Sequence, residues 1–195
     1  ALIFLAAGAG TFGVASLFTQ ENTTKARLAR LTGQAKRTAK KQKWAKAANN
    51  AGMKYVVFTT KHHDGFCMFD SKYTDYKITS PECPFSINPK ANVTKEIFDA
   101  FRAEGLWAGA YFSKPDWNNK DYWDPKFPPF DRNVNYDPGL YPEKWEDYVQ
   151  FTHNQIMELM TDYGDIDILW LDGGWVCKQS EAELDEFYKD RHAET

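Results

Sequence analysis

The feature of this sequence that most limits its possible folds is an apolar run at residues 166–171, which ends on Asp172 and is followed by Gly173 and Gly174. Side chains alternate along a strand, and both faces of this run are largely apolar, which is typical of a buried parallel strand. We therefore predict that a strand carries Asp172 to its carboxyl end, where α/β proteins place their catalytic and binding groups. Asp before two glycines is also ordinary turn chemistry, so Asp172 could instead cap the turn.

The same arrangement of elements occurs three times along the chain. A predicted helix ends at a glycine of the kind that adopts a left-handed conformation, and a predicted strand follows. The helices are expected at residues 44–51, 93–104 and 143–163, the glycines are Gly52, Gly105 and Gly164, and the strands are expected at residues 54–60, 106–112 and 165–172. Asn92 is expected to cap the second helix. A repeated helix–strand unit predicts an α/β fold with a parallel sheet.

Long loops follow the first two predicted strands, at residues 62–91 and 114–141. Both are rich in proline and aromatic residues, and long loops after parallel strands mark the functional face of a barrel or open sheet. Aromatic residues form 16% of the chain, which suits grooves that stack on sugar rings, although core packing explains part of this content equally well. The carboxyl ends of the strands are therefore the expected place for a site.

Charge is distributed unevenly along the chain. Residues 1–63 hold eleven Lys/Arg and one acidic residue, Glu21, whereas residues 64–195 hold thirteen Lys/Arg and twenty-six Asp/Glu. We therefore separate an atypical, apolar and then basic segment at residues 1–43 from an α/β domain at residues 44–195. The basic segment lacks the interleaved aromatic residues of a nucleic-acid platform, so we predict neither a nucleic-acid nor a membrane partner.

Two adjacent histidines, His62 and His63, follow the first predicted strand and precede Asp64. Adjacent side chains on an extended backbone point in opposite directions, so a metal pocket built from these three residues would need a sharp turn. Hydrogen bonding to a polar substrate suits the pair better, and hydrogen bonding to the loop backbone is the alternative. The three cysteines of the chain are too widely spaced for a CxxC metal site, and we predict no metal and no cofactor.

The second predicted strand ends with Tyr111 and Ser113 on one face, and Pro115 takes the chain out of the sheet. Tyr111 could hold a neighbouring carboxylate through its hydroxyl group. A buried tyrosine that needs any hydrogen-bond partner is the competing explanation.

Four blocks of the sequence together resemble a known enzyme family. They are residues 55–66, which contain the two histidines, residues 70–76, residues 103–117, and residues 163–173, which contain Asp172. In order and spacing the blocks resemble the α-L-fucosidases of glycoside hydrolase family 29, over about residues 44–178. Four ordered blocks are far more specific than any single motif.

The resemblance implies that residues 44–195 form an incomplete part of a catalytic (β/α)8 TIM barrel, truncated at its C-terminus. It also implies hydrolysis of terminal α-L-fucosides with retention of configuration, through a covalent glycosyl-aspartate intermediate. The partner would be a fucosylated glycan or glycoconjugate as substrate. By the same resemblance the protein would be periplasmic, secreted or lysosomal.

The resemblance also assigns roles to single residues. Asp172 matches the nucleophile of the family, and His62 and His63 match its fucose-contacting pair. Trp170 matches an aromatic residue near the sugar, and Tyr111 matches a position where the family has two adjacent aromatic residues. A retaining glycosidase needs an ionised carboxylate on a rigid element, about 5–5.5 Å from a protonated acid, and the end of a buried strand suits Asp172 to that role.

Two features depart from the family. Its first strand carries a His-Trp-Gly segment, whereas residues 1–43 contain neither His nor Trp. The general acid/base of the family lies beyond the helix that follows its fourth strand, past Thr195, so we assign no acid/base residue here. Glu181, Glu183 and Glu186 lie on a predicted C-terminal helix and are expected to form a solvated face.

Two other functions are compatible with the sequence. One is a noncatalytic fucose-binding remnant, which would keep the histidines and tryptophans but turn over nothing. The other is a metal-dependent barrel hydrolase that uses His62, His63 and Asp64. Because an incomplete barrel leaves strand edges unpaired, we also expect the chain alone to be poorly stable or to form homo-oligomers.

Overall fold

The structure, a computed structural model, describes residues 2–7, 11–16, 42–130 and 132–173. Its strands are β1 (Leu2–Ala7), β2 (Thr11–Ser16), β3 (Met53–Lys61), β4 (Trp107–Ser113) and β5 (Ile168–Asp172). Helix α1 covers residues 42–50, α2 covers Val93–Arg102, and α3 covers Pro142–Asp162. The strands form one sheet in the spatial order β2-β1-β3-β4-β5. Among the helices of these residues, none combines the length and apolar character needed to cross a membrane.

The parallel part of the sheet consists of β3, β4 and β5, and α2 and α3 connect these strands. This arrangement confirms the α/β fold with a parallel sheet that the repeated helix–strand unit predicts. Gly52, Gly105 and Gly164 have φ values of 76°, 76° and 72°, so the predicted left-handed glycines are also confirmed. Each one ends a helix in a conformation that residues with a Cβ atom rarely adopt.

One face of the parallel strands packs against α2. The side chain of Asn92 accepts a hydrogen bond from the Lys95 backbone N–H at 3.2 Å, which confirms the predicted cap of this helix. Residues three and four positions apart share a face of a helix, and this face of α2 is apolar. Buried side chains of this core include Val56, Phe58, Ala108, Ala110 and Phe112 from the strands and Ile97, Phe98 and Phe101 from α2. Burial of one large side chain such as Phe98 stabilises the fold by about 1.5–3 kcal/mol.

The two N-terminal strands lie in the segment at residues 1–43, which the family resemblance does not cover. β1 pairs antiparallel with β2 and also antiparallel with β3. Only residues 8–10 lie between β1 and β2, whereas a connection between parallel strands needs about a dozen residues or more. A connection this short therefore permits only the antiparallel pairing.

β5 corrects one prediction. The sequence predicts a strand that is buried on both faces, but Trp170 is 46% exposed and Leu171 is 44% exposed. The reason is that β5 lies at the edge of the sheet and, within the described residues, pairs with β4 alone.

Several predicted features lie outside the described residues. One is the basic part of the N-terminal segment, at residues 17–41. Another is the C-terminal helix predicted between Ser180 and His192, which carries Glu181, Glu183 and Glu186. The expected solvated face of that helix stays a prediction.

Candidate active site

The carboxyl ends of β3, β4 and β5 bring together the residues that the sequence singles out. His62 and His63 directly follow β3, whereas β4 carries Tyr111 and β5 carries Trp170 and Asp172. Tyr111 lies opposite Trp170 in the register of β4 and β5, and the centroids of their rings are 6.3 Å apart. Neighbouring parallel strands end at the same edge of a sheet, so side chains far apart in the sequence meet here.

The carboxylate of Asp172 is held from two sides. Its Oδ2 atom accepts a hydrogen bond from the Tyr111 hydroxyl, and its Oδ1 atom accepts one from the Gly173 backbone N–H at 2.6 Å. The second contact joins the carboxylate to the backbone of the next residue at the start of the turn, and the same carboxylate faces His63. Gly173 has φ 83°, and a Cβ atom there would lie 2.1 Å from Cδ of Pro115, so the turn requires glycine.

Asp172 is ionised at neutral pH in this environment. Burial raises the pKa of its carboxyl group, but the Tyr111 hydroxyl, the Gly173 N–H and the nearby rings of His63 and His62 together hold this pKa below its usual value. Burial and the hydrogen bond to Asp172 raise the pKa of Tyr111, which therefore stays neutral and donates its proton. The side chain of Asp172 is 38% exposed, so a ligand can reach the carboxylate.

The two histidine rings lie side by side, which corrects the prediction that they point in opposite directions. Their centroids are 4.2 Å apart with a 49° angle between the ring planes. The prediction is wrong because β3 ends at Lys61 and the backbone then turns, with the Gly65 N–H donating to the His62 carbonyl at 3.0 Å. In the described part of the chain, no three His, Cys, Asp or Glu side chains are grouped so that they could hold a metal ion.

Each histidine has a different position relative to the carboxylate. The His62 ring is exposed and stacks on Tyr111, with centroids 5.8 Å apart and a 10° angle between the planes. The His63 side chain is almost buried, and its Nε2 atom lies 3.8 Å from Oδ2 of Asp172. Both rings therefore line the space in front of the carboxylate and can donate or accept hydrogen bonds there.

The site also contains a buried ion pair that was not predicted from the sequence. The ammonium group of Lys61 is completely buried, lies 3.2 Å from Oδ2 of Asp116, and donates to Oε1 of Gln155 at 3.0 Å. Oδ1 of Asp116 accepts hydrogen bonds from the backbone N–H groups of Asn118 and Asn119. A signal was present in the sequence, because Lys61 and Asp116 carry opposite charges just beside the ends of neighbouring predicted strands.

The ion pair ties the loop after β4 to the loop after β3. The Trp117 backbone N–H donates to the His63 carbonyl at 2.8 Å, and the rings of these two residues lie 5.2 Å apart. A Cβ atom at Gly65 would lie 2.2 Å from Oδ1 of Asp116, so only glycine permits this close approach. Asp116 and Lys61 thus fix the backbone that carries the histidine pair.

Aromatic side chains extend the site along the loop after β4. Trp117 stacks on Trp123 with ring centroids 5.2 Å apart and a 12° angle between the planes. The indole N–H of Trp117 donates to the carbonyl of Arg132 at 3.5 Å, and that of Trp123 donates to the carbonyl of Asn133 at 2.8 Å. These bonds orient both rings, and the ring of Trp117 lies beside that of His63.

Comparison with known proteins identifies relatives of one kind. A family model described as alpha-L-fucosidase matches residues 36–194. Alpha-L-fucosidase 1 of Arabidopsis thaliana is 32% identical over 145 residues, which is 74% of this chain and 24% of that protein. Tissue alpha-L-fucosidase of Homo sapiens is 28% identical over 137 residues, which is 70% of this chain and 25% of that protein. The chain therefore spans about a quarter of the length of these relatives.

Solved structures give the same result. A trapped covalent intermediate of a GH29 alpha-L-fucosidase from Bacteroides thetaiotaomicron, in complex with 2-fluoro-fucosyl fluoride, is 36% identical and has a TM-score of 0.55. The match covers 69% of this chain and 27% of that one. Alpha-L-fucosidase isoenzyme 1 from Paenibacillus thiaminolyticus is 40% identical with a TM-score of 0.54, over 77% of this chain and 35% of that one.

Proposed function

This chain belongs to the α-L-fucosidase family, and we propose that the full-length protein hydrolyses terminal α-L-fucosides with retention of configuration. Its substrate is then a fucosylated glycan or glycoconjugate. Residues 44–195 contribute part of a catalytic (β/α)8 barrel, and the general acid/base is expected outside the described residues. The relatives named α-L-fucosidase and the covalent intermediate of the Bacteroides enzyme support this proposal.

The observation that carries the proposal is the environment of Asp172. The carboxylate stands at the end of a parallel strand and is oriented by Tyr111 and by the Gly173 N–H. Its lowered pKa keeps it ionised, and its partial exposure leaves it open to a ligand. A nucleophile of a retaining glycosidase needs each of these properties, because it must attack as an anion from a fixed position.

Asp172 is the proposed nucleophile. One of its carboxylate oxygens attacks the anomeric carbon while the bond from that carbon to the leaving oxygen breaks, and the acid protonates the leaving group. Water then attacks the anomeric carbon of the glycosyl-aspartate while the bond from that carbon to the Asp172 oxygen breaks, and the former acid, now a base, takes the proton of the water. Two inversions thus give overall retention. The Tyr111 hydroxyl, which donates to Asp172, orients the carboxylate for the first attack and stabilises its negative charge when that charge returns in the second step.

The remaining predicted residues form the sugar-binding part of the proposal. His62 and His63 lie where their ring nitrogens can bind sugar hydroxyl groups next to the carboxylate. Trp170 offers aromatic surface of the kind that packs against the apolar parts of a sugar ring. Tyr111 is buried, and its part in the proposal is to orient Asp172 through its hydroxyl. Trp170 is 46% exposed, which suits a residue that contacts a ligand.

Replacing Asp172 tests the proposal most directly. In the full-length protein, Asp172→Ala should lower turnover of an aryl α-L-fucoside by at least roughly 10³-fold, because alanine cannot form the covalent intermediate. Fucose binding and the circular dichroism spectrum should stay close to wild type. Added azide should restore part of the activity and give β-fucosyl azide, since the small anion enters the space that the carboxylate leaves.

A matched control is Asp99→Ala, which removes a carboxylate that is 55% exposed on α2, away from the site. This variant should retain wild-type turnover. Asp172→Asn, which keeps the shape of the side chain, replaces the alanine variant if the latter does not fold. If a folded Asp172 variant keeps most of its activity, Asp172 only caps the turn and is not the nucleophile. If the wild-type protein binds fucose but does not turn over the substrate, it is a noncatalytic binding remnant. Loss of wild-type turnover on chelation would instead indicate a metal-dependent hydrolase.

A further inference from the structure

Two tryptophans on the loop after β4 form an aromatic surface beside the site of Asp172. Trp117 and Trp123 stack on each other with ring centroids 5.2 Å apart, and both residues are half-buried. The Trp117 ring also lies 5.2 Å from the His63 ring, whose Nε2 atom is 3.8 Å from Oδ2 of Asp172. The pair therefore continues a row of groups that begins at the proposed nucleophile.

Packing of the loop itself does not require this surface. The loop has an aromatic core of its own, in which Tyr136 is completely buried, Tyr122 is 6% exposed and Phe127 is 8% exposed. Trp117 and Trp123 instead keep part of their surface exposed. Large aromatic side chains that stay partly exposed next to a site are typical of ligand-binding surfaces, because a ligand that covers them removes apolar area from water.

The loop holds the two rings in fixed positions. Both indole N–H groups donate to backbone carbonyls of the same loop. Next to Trp123 in the chain, the Asp124 N–H donates to the buried side chain of Asn135, whose amide group donates in turn to the carbonyls of Asp124 and Phe127. Nζ of Lys144 on α3 lies 2.9 Å from Oδ2 of Asp124. A surface that is already ordered binds a ligand at a low cost in conformational entropy.

We propose that Trp117 and Trp123 bind the sugar that carries the fucose, a pyranose on the leaving-group side of the cleaved bond. This inference rests on the proposed function, because it takes Asp172 as the group that attacks the fucose. Trp123 packs against Trp117 and lies one ring further from Asp172, at the distance of the next sugar rather than of the fucose itself. Since both indole N–H groups are bonded to the protein, the rings offer their apolar surface, which suits the C–H face of a pyranose.

A contact of this kind selects substrates by their leaving group. Binding energy from a part of the substrate that does not react can be used to lower the barrier at the reacting carbon. The tryptophan pair should therefore favour a fucoside that is linked to a second sugar over one with a small leaving group. This preference should depend on the Trp123 ring, which the fucose itself does not reach.

The first test measures binding to the full-length protein, with Asp172→Asn to prevent turnover. The probes are fucose and three disaccharides, in which fucose is linked to O2 of galactose or to O3 or O6 of N-acetylglucosamine. In isothermal titration calorimetry, at least one disaccharide should bind roughly tenfold more tightly than fucose, and Trp123→Ala should remove this difference. Equal affinities for all four sugars, or a difference that persists in Trp123→Ala, would overturn the inference.

The second test compares kcat/KM for the disaccharide that binds best with kcat/KM for α-L-fucosyl fluoride, whose leaving group is too small to reach Trp123. Trp123→Ala should lower the ratio of the two values roughly tenfold, because only the disaccharide loses a contact. Trp123→Phe, which keeps a flat ring, should lower the ratio less, and it provides the same comparison if the alanine variant does not fold. An equal loss on both substrates would mean that Trp123 only supports the loop, and would overturn the inference.

The matched control is Trp107→Ala, which removes a tryptophan that is 60% exposed at the start of β4, the end of the strand away from the site. It should change neither the difference in affinity nor the ratio of kcat/KM values. Failure of the proposed function appears separately, as absence of wild-type turnover of both substrates. The calorimetry does not depend on turnover, so it still decides in that case whether the tryptophans bind the second sugar.

Discussion

Two aspartates next to the ends of neighbouring strands have opposite environments. Asp116 follows β4, its side chain is 4% exposed, and it is paired with the completely buried ammonium group of Lys61. Asp172 ends β5, is 38% exposed, and is held by a neutral tyrosine hydroxyl, a backbone N–H and nearby histidines. The comparison teaches that a permanent buried cation makes a carboxylate part of the framework, whereas neutral donors leave its charge available for chemistry.

The two aspartates also differ in what their removal should do. Loss of one partner from a buried ion pair leaves an uncompensated charge inside the protein, which is strongly destabilising. Loss of a partly exposed carboxylate leaves its former donors within reach of water. We therefore expect Asp116 to affect stability and Asp172 to affect turnover.

The largest effect on stability is expected for Asp116→Ala in the full-length protein. It should lower the free energy of unfolding by about 3–5 kcal/mol, because the ammonium group of Lys61 stays buried without its partner. Chemical denaturation measures this change. Asp99→Ala, which removes one member of an exposed ion pair on α2, is the control and should cost less than about 1 kcal/mol.

A double variant sharpens this prediction. Lys61→Met with Asp116→Leu removes both charges and replaces them with apolar groups, so it should be more stable than Asp116→Ala by about 2–4 kcal/mol. If Asp116→Ala instead has the same free energy of unfolding as Asp99→Ala, the ion pair of Lys61 and Asp116 does not stabilise the fold. Asp116 and Asp172 would then not differ in the way proposed.

The next largest effect is expected for Tyr111→Phe, which removes the hydroxyl that binds Asp172. Transition-state stabilisation should fall by roughly 1.5–3 kcal/mol, the range for a hydrogen bond to a charged group. Because this bond helps to lower the pKa of Asp172, its loss raises that pKa, and the acid limb of the kcat/KM profile should move to higher pH.

Tyr73→Phe is the matched control, since Tyr73 is 47% exposed on the loop after β3. Its pH profile should match the wild type. An unshifted acid limb in Tyr111→Phe would show that Tyr111 does not affect the pKa of Asp172, the proposed nucleophile.

A smaller effect is expected when either histidine is replaced. His62→Ala or His63→Ala should weaken transition-state binding by about 1–3 kcal/mol, because polar groups of the substrate lose their partner. Steady-state kinetics on an aryl α-L-fucoside measures the change, with His153→Ala, an exposed histidine of α3, as the control. Unchanged kinetics in a folded variant would move that histidine to a structural role.

The smallest effect concerns the pH dependence of stability. The pKa of Asp172 is lowered in the folded protein, so its contribution is present above the unfolded value of about 3.9 and is lost as the pH falls through the folded value. Solvent screens this partly exposed group, so the contribution should be below about 1 kcal/mol. Denaturation of wild type and Asp172→Asn at neutral and acidic pH measures it. A pH-dependent stability difference larger than about 1 kcal/mol between wild type and Asp172→Asn would mean that Asp172, like Asp116, stabilises the fold.

The sequence by itself determined the elements and singled out the candidate site residues. Apolar periodicity and the glycines at Gly52, Gly105 and Gly164 predict the parallel strands and their helices, because these features depend on neighbours within a few positions. The position of Asp172 after an apolar run predicts its place at a strand end. Local patterns also identify His62 and His63, since they directly follow a predicted strand.

Only the tertiary structure decided which of these groups touch. Tyr111 and Asp172 are 61 residues apart, Lys61 and Asp116 are 55 apart, and His63 and Ser113 are 50 apart. Such contacts depend on strand register and on loop turns, which no local pattern specifies. The adjacent histidine rings, the edge position of β5 and the burial of Lys61 have the same cause, because each depends on what the rest of the fold brings against that segment.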